Sequence, residues 1–215
     1  MATTLTFDSL IADLESYLER GTSNDSTVEN ELPRIINRTE REIARRLKIL
    51  GLLTPLTDTM TAGVSVYTKP DRWRETTSMR FGGGIGLNTS APLFPRSYEY
   101  LRMYWPDATA RDVPEFYADY DYSHWLISPT PDQNYPWEVM AYMIPPMLDL
   151  TNQQNWVAIY APDVLLNGCL KNCESMLKDD PRIPVWTAAF ESGLNELNGE
   201  DLQRIIDRST SRQEA

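Results

Sequence analysis

The chain has 215 residues, 41% of them hydrophobic and 24% charged, enough to bury a core as one domain with a large insertion or as two small domains. Its 31 acids against 20 bases leave a formal net charge of −11, which argues against a protein that grips nucleic acid through phosphate contacts. The opening MATTLTFDSL carries no basic region and no long apolar run, so the sequence signals neither export nor membrane insertion.

The N-terminal stretch predicts two helices. Phe7, Leu10, Ile11, Leu14, Tyr17 and Leu18 recur with helical period, and Gly21 is the expected stop. A polar loop, GTSNDSTVEN, leads to a second helix beginning near Leu32, where Pro33 is acceptable in the first turn. Leu32, Ile36, Ile43 and Leu47 face inward in this reading. Arg38, Arg41, Arg45 and Arg46 line the other side among Glu40 and Glu42, as a solvated face or a contact for an acidic partner.

From Gly51 to about Leu150 the helical period disappears. This segment holds 11 of the 15 prolines and 6 of the 10 glycines. Short alternating runs replace the helices: VSVY at 64–67, PEFYADYDY at 114–122, HWLIS at 124–128 and WEVMAYMI at 137–144. HWLIS and WEVMAYMI, joined by PTPDQNYP, read as an antiparallel hairpin. SYEYLRMYW (97–105) is the one short helix expected here.

Helices return after Leu150. Pro162 at a first helical position and Asp163 in the same turn suit a helix start. Leu165, Cys169, Cys173 and Met176/Leu177 then form an apolar stripe. Gly168 beside it suggests that another backbone comes close, since a glycine there costs about 1 kcal/mol relative to alanine. After a break at KDDPRIP, a last helix runs from about Val185 with Trp186, Phe190, Leu194 and Leu197 on one face. Gly199 interrupts it, and Leu202, Ile205 and Ile206 continue the pattern. The expected fold class is α+β: a discontinuous helical bundle (1–50 with 151–208) carrying an inserted, mainly antiparallel β domain (51–150), with a polar tail at 209–215.

No catalytic constellation emerges from the residues. The Gly-rich FGGGIGLN (81–88) fails the dinucleotide spacing, because position 87 is Leu87, and no Lys-Ser/Thr follows. His124 is the single histidine, which excludes a multi-histidine metal site, and it sits in an apolar alternating run beside Ser123. Asp119 and Asp121, at i and i+2, are placed on one strand face as paired carboxylates, read as solvated. Cys169 and Cys173 read as small core residues, since no histidine flanks them. Catalytic, cofactor-binding and metal residues are therefore all expected to be none, and the protein is expected not to be an enzyme. Aromatics crowd the middle segment: Tyr98, Tyr100, Tyr104, Trp105, Phe116, Tyr117, Tyr120, Tyr122, Trp125, Trp137 and Tyr142. Such a set suits a protein–protein interface or, alternatively, a carbohydrate-binding or tail-fibre-associated module.

Three stretches carry a resemblance. NWVAIYAPDVLLNGCLKNCESMLKDD followed by PVWTAAFESGLNELNGED resembles the C-terminal signature of tailed-phage adaptor (head-to-tail connector) proteins. VPEFYADYDYSHWLISPTPDQNYPWEVMAYMIPPML is similar to that family's middle run through Pro114, Tyr117, Leu126, Pro129, Pro131, Asp132, Tyr142, Pro145, Pro146 and Leu148. EREIARRLKI resembles the family's opening. The 21–30 loop and the GGGIG segment depart from it. The resemblance implies a virion structural protein made in the host cytoplasm: a ring of identical subunits, usually twelve, docked under the portal protein. A tail or nozzle protein would lie below, DNA would pass unread through the lumen, and no membrane is involved. The helical domain would build the ring, the C-terminal segment would reach toward the portal, and the β insertion would face the nozzle.

Overall fold

A computed structural model describes residues 4–19, 26–82, 90–174, 176–177 and 180–211, with the backbone alone described at Ser26 and at 203–211. The chain opens with α1 (Phe7–Leu18), α2 (Ser26–Arg46) and a single 3-10 turn at Leu50–Leu52. Strands β1 (Leu53–Met60), β2 (Val66–Thr68), β3 (Trp73–Phe81) and β4 (Ala91–Pro95) follow, then α3 (Tyr98–Tyr104). Next come β5 (Arg111–Asp112), β6 (Phe116–Asp119), β7 (His124–Ser128), β8 (Thr130–Pro131) and β9 (Tyr135–Met143). Three helices close the chain: α4 (Trp156–Tyr160), α5 (Pro162–Asn172) and α6 (Ile183–Ser211). The chain divides into two compact units, Met1–Leu52 with Ile144–Ala215, and Leu53–Met143. The whole is a mixed α+β protein.

In the helical unit, α1 starts where Thr6 and Ser9 cap it reciprocally, and it buries Phe7, Leu10, Leu14 and Leu18. It ends at Glu19, whose left-handed backbone (φ 54°) lets its N–H reach the carbonyls of Glu15 and Ser16. Gly21, the expected stop, lies outside the described residues. Helix α2 begins at Ser26, well before Leu32, so Pro33 stands inside the helix and not in its first turn. An interior proline costs about 3 kcal/mol. Burial of Val28, Leu32, Ile35, Ile36 and Ile43 offsets it.

Helix α5 has Pro162 at its start and buries Leu165 and Cys169 completely. A Cβ on Gly168 would stand 2.6 Å from Thr39 Cγ2 and 2.7 Å from Phe190 Cε2. The close approach is thus made by side chains of α2 and α6, where the sequence suggested a backbone. The helix stops at Asn172 with Cys173 as its cap, so Met176 and Leu177 lie beyond it in turns. Helix α6 buries Trp186, Phe190 and Leu194 and runs unbroken through Gly199. No atom comes within 4 Å of a Cβ there, so this glycine marks a solvated position and not a break. Leu202 is exposed and does not extend the buried stripe.

The β unit is a seven-stranded sheet in the order β1-β9-β3-β4-β6-β7-β2, antiparallel at every step except β4–β6, with β5 and β8 as a small parallel pair. The expected hairpin of HWLIS with WEVMAYMI does not form. Strand β7 pairs instead with β6, through Tyr117–Ile127 and Asp119–Trp125, while β9 lies between β1 and β3. The physical reason is proximity and donors: a short turn at 120–123 returns β7 directly onto β6, whereas Pro129 and Pro131 offer no N–H to carry the ladder onward. Alternation then fills one face with Met60, Trp73, Met79, Phe81, Tyr117, Trp125, Ile127, Trp137 and Val139, the core of this unit. The short helix α3 forms as expected, capped by Ser97.

Candidate functional site

The acids and the histidine singled out in the sequence make local structural contacts within the β unit. Lys69 is buried, with Nζ 2.7 Å from Asp119 Oδ1, 2.8 Å from the Asp121 carbonyl and 3.7 Å from the centre of the Trp73 ring. Asp119 neutralises that cation, so its carboxylate already has a structural partner. Asp121 lies in the turn after β6 and not on the strand face. Its Oδ1 accepts from Ser123 N–H at 2.6 Å, and both its oxygens lie 2.9 Å from His124 Nδ1. The His124 ring and these N–H groups hold the Asp121 carboxyl below the usual carboxylate range. Ser123 contributes its backbone to the turn, and no Ser-His-Asp relay is assembled from Ser123, His124 and Asp121.

The aromatic set divides by burial. Tyr117, Trp125 and Trp137 belong to the core, while Tyr98, Tyr104, Tyr120 and Tyr122 are exposed. Helix α3 carries several exposed apolar and aromatic side chains. Met103 is 79% exposed, Tyr98 and Tyr104 are exposed too, Tyr98 packs on Tyr120 at 5.6 Å, and the Arg102 guanidinium lies 5.4 Å from the Tyr98 ring centre. Arg96 lies similarly over Tyr100 and Phe116. Amphipathic rings with cations laid on them offer contact area with polar tips, the composition of protein interfaces. A separate cleft of about 300 Å³ is bordered by both edge strands, through Leu56, Thr57 and Asp58 of β1 and Thr68 of β2. Its Trp125 and Trp137 are covered by other side chains, so neither ring is free to stack a sugar. Trp125 Nε1 donates to Thr76 Oγ1 at 2.9 Å, whereas Trp137 Nε1 is buried with no partner among the described residues. Such a group costs about 1–3 kcal/mol.

The basic face of α2 is engaged within the helical unit. Arg46 forks onto Glu191 of α6, Arg38 donates to the Asn172 carbonyl at 2.5 Å, and Arg41 donates to Asn37 Oδ1 at 2.9 Å. Glu42 pairs with Lys171 of α5 at 2.6 Å. Glu40, expected on this outer side, is fully buried instead. Its carboxylate accepts from Leu148 N–H at 3.1 Å and from the Asn155 amide. Asn155 also donates to the Pro146 carbonyl at 2.9 Å and accepts from Ala158 N–H at 3.1 Å, which caps α4. Sequence reasoning missed this network. One signal existed: Glu40 falls in step with Ile36, Ile43 and Leu47 on the apolar stripe. Burial pushes both cysteine thiols up, Cys173 to about 11, so they remain protonated core groups. Among the described residues no cluster of three or more His, Cys, Asp or Glu could hold a metal, and no helix is long and apolar enough to cross a membrane. The stretch 83–89, with most of the Gly-rich segment, lies outside the described residues.

The acids and the histidine singled out in the sequence all have structural partners, and helix α3 leaves aromatic side chains exposed. The profile of the SU10 adaptor protein family matches residues 5–213, and the chain belongs to that family of phage head–tail adaptors. It is accordingly a structural component of a phage virion. No curated protein sequence matches it. The residues that carried the resemblance gain a physical meaning here, since Pro146, Leu148 and Asn155 are the ones Glu40 gathers, directly or through Asn155.

Proposed function

We propose that the chain forms a ring of identical subunits, twelve in number, joining the portal protein to the tail nozzle and passing DNA through its lumen. The observation that carries this reading is the family match from residue 5 to residue 213, which takes in both units and not one module alone. The domain division proposed with it is a helical part that builds the ring and a β part that meets the nozzle. Charge supports the lumen: a wall drawn from a chain of net charge −11 repels the phosphate backbone and lets DNA slide without being read. The exposed aromatic face of α3 supplies one contact surface for assembly. Native mass spectrometry of the protein alone and with its portal tests the reading. The expected result is a small species alone and a twelvefold complex with portal; a stable monomer under both conditions overturns it.

A further inference from the structure

The chain passes between its two units twice, at Leu52–Leu53 and at Met143–Ile144. The second passage feeds residues 144–154, which form neither helix nor strand before Asn155 starts α4. A stretch of this kind has no ladder of its own, so its backbone groups need other partners. Glu40 supplies a central one. Its two oxygens accept from the Leu148 N–H at 3.3 and 3.1 Å, and Oε1 also accepts from Asn155 Nδ2. Asn155 relays the hold to the Pro146 carbonyl and to the first turn of α4. Among the described residues Glu40 is the only buried carboxylate.

We propose that Glu40 latches this return segment to α2, and that losing its proton loosens the latch. A carboxylate in water is solvated on all sides, whereas here two groups donate to it and the rest of its surroundings is core. Opening the segment therefore gains more when Glu40 is charged than when it is neutral. The titratable groups facing it act in the same direction or are neutral. Asp149, on the return segment, repels a second negative charge, and the Cys169 thiol on α5 stays protonated. Arg38, on α2 itself, is turned to the Asn172 carbonyl. Burial pushes the Glu40 carboxyl up from 4.5 to about 7, against the opposing pull of Leu148 N–H and the Asn155 amide. The latch is then firmest below about pH 4.5, loosens steadily as the pH rises toward 7, and changes little above that. The inference does not depend on ring formation.

Hydrogen exchange of the intact protein between pH 5 and pH 8.5, read on peptides spanning 144–156 and divided by the exchange rate of the unstructured peptide at each pH, tests it. A displacement from 4.5 to about 7 corresponds to an increase in opening of roughly 75-fold between pH 5 and pH 8.5. Peptides from β9 serve as the reference and are expected to stay flat, and Glu40→Gln is expected to abolish the slope at 144–156. Should that variant fail to fold, carbon-13 titration of the Glu40 carboxyl in the unmodified protein gives the answer, with a midpoint near 7 expected. A flat corrected profile at 144–156, an equal slope in β9, or a midpoint below pH 5 would each overturn the proposal.

Discussion

The two units reach stability by opposite routes. The β unit is one uninterrupted run, Leu53–Met143, with a core of large aromatic and sulfur-bearing side chains. The helical unit is assembled from two stretches separated by that run, and polar groups join them: Glu40 to Leu148 and Asn155, Thr39 to Asn172, Glu42 to Lys171, Arg46 to Glu191. Contiguous chain can specify its pairings by short turns, as β6 and β7 do. Segments more than a hundred residues apart need directional partners as well as apolar burial, because hydrophobic contact alone fixes no register.

The largest expected break in this comparison comes from the helical side. Phe190 is fully buried against Gly168, with the Lys171 ammonium 4.4 Å from its ring centre. Phe190→Ala is expected to remove about 3–5 kcal/mol from the helical unit. Hydrogen exchange under native conditions reads the two units separately, and equal loss of protection in β3 and β9 would show that they unfold as one. On the β side, Lys69→Ala is expected to cost about 2 kcal/mol and Lys69→Met about 1 kcal/mol. The Lys69 side chain is buried with its ammonium over Trp73, whereas its partner Asp119 stays wet and loses little. Thermal melts of both variants compare them, and equal costs would mean that the lost ammonium, absent from both, dominates over packing. The smallest effect is expected at Glu191→Gln. Both ends of that pair are more than a third exposed, so less than about 1 kcal/mol is at stake, and salt should narrow the gap further in denaturant titrations.

How much of this was legible in the sequence follows the same division. Local signals were readable: the stripe of α1, the Pro162 start of α5, and the tight site around Gly168. So was α3 inside an otherwise strand-like region. What could not be read was set by distant partners. The burial of Glu40 depends on Leu148 and Asn155, and charge alone placed it outside. The pairing of β7 depends on which strand reaches it first, which periodicity does not encode. Pro33 and Gly199 show the same limit for helices. Neighbouring burial keeps α2 continuous across a proline, and an unobstructed surface keeps α6 continuous across a glycine. Asp119 and Asp121, read as solvated, stay largely exposed, but their contacts with Lys69 and His124 were not legible in the sequence. Lys69, which reaches Asp119 and the Asp121 carbonyl, lies some fifty residues back in the chain.

The split composition of the helical unit also has a consequence in time. A ribosome completes Leu53–Met143 before Phe190 exists, so the β unit can close while the apolar stripe of α2 still lacks the helices that cover it. At roughly 5–20 residues per second, that stripe waits on the order of ten seconds. During this interval Arg46 also lacks Glu191, and the charged residues of α2 itself are what is at hand to favour water over association.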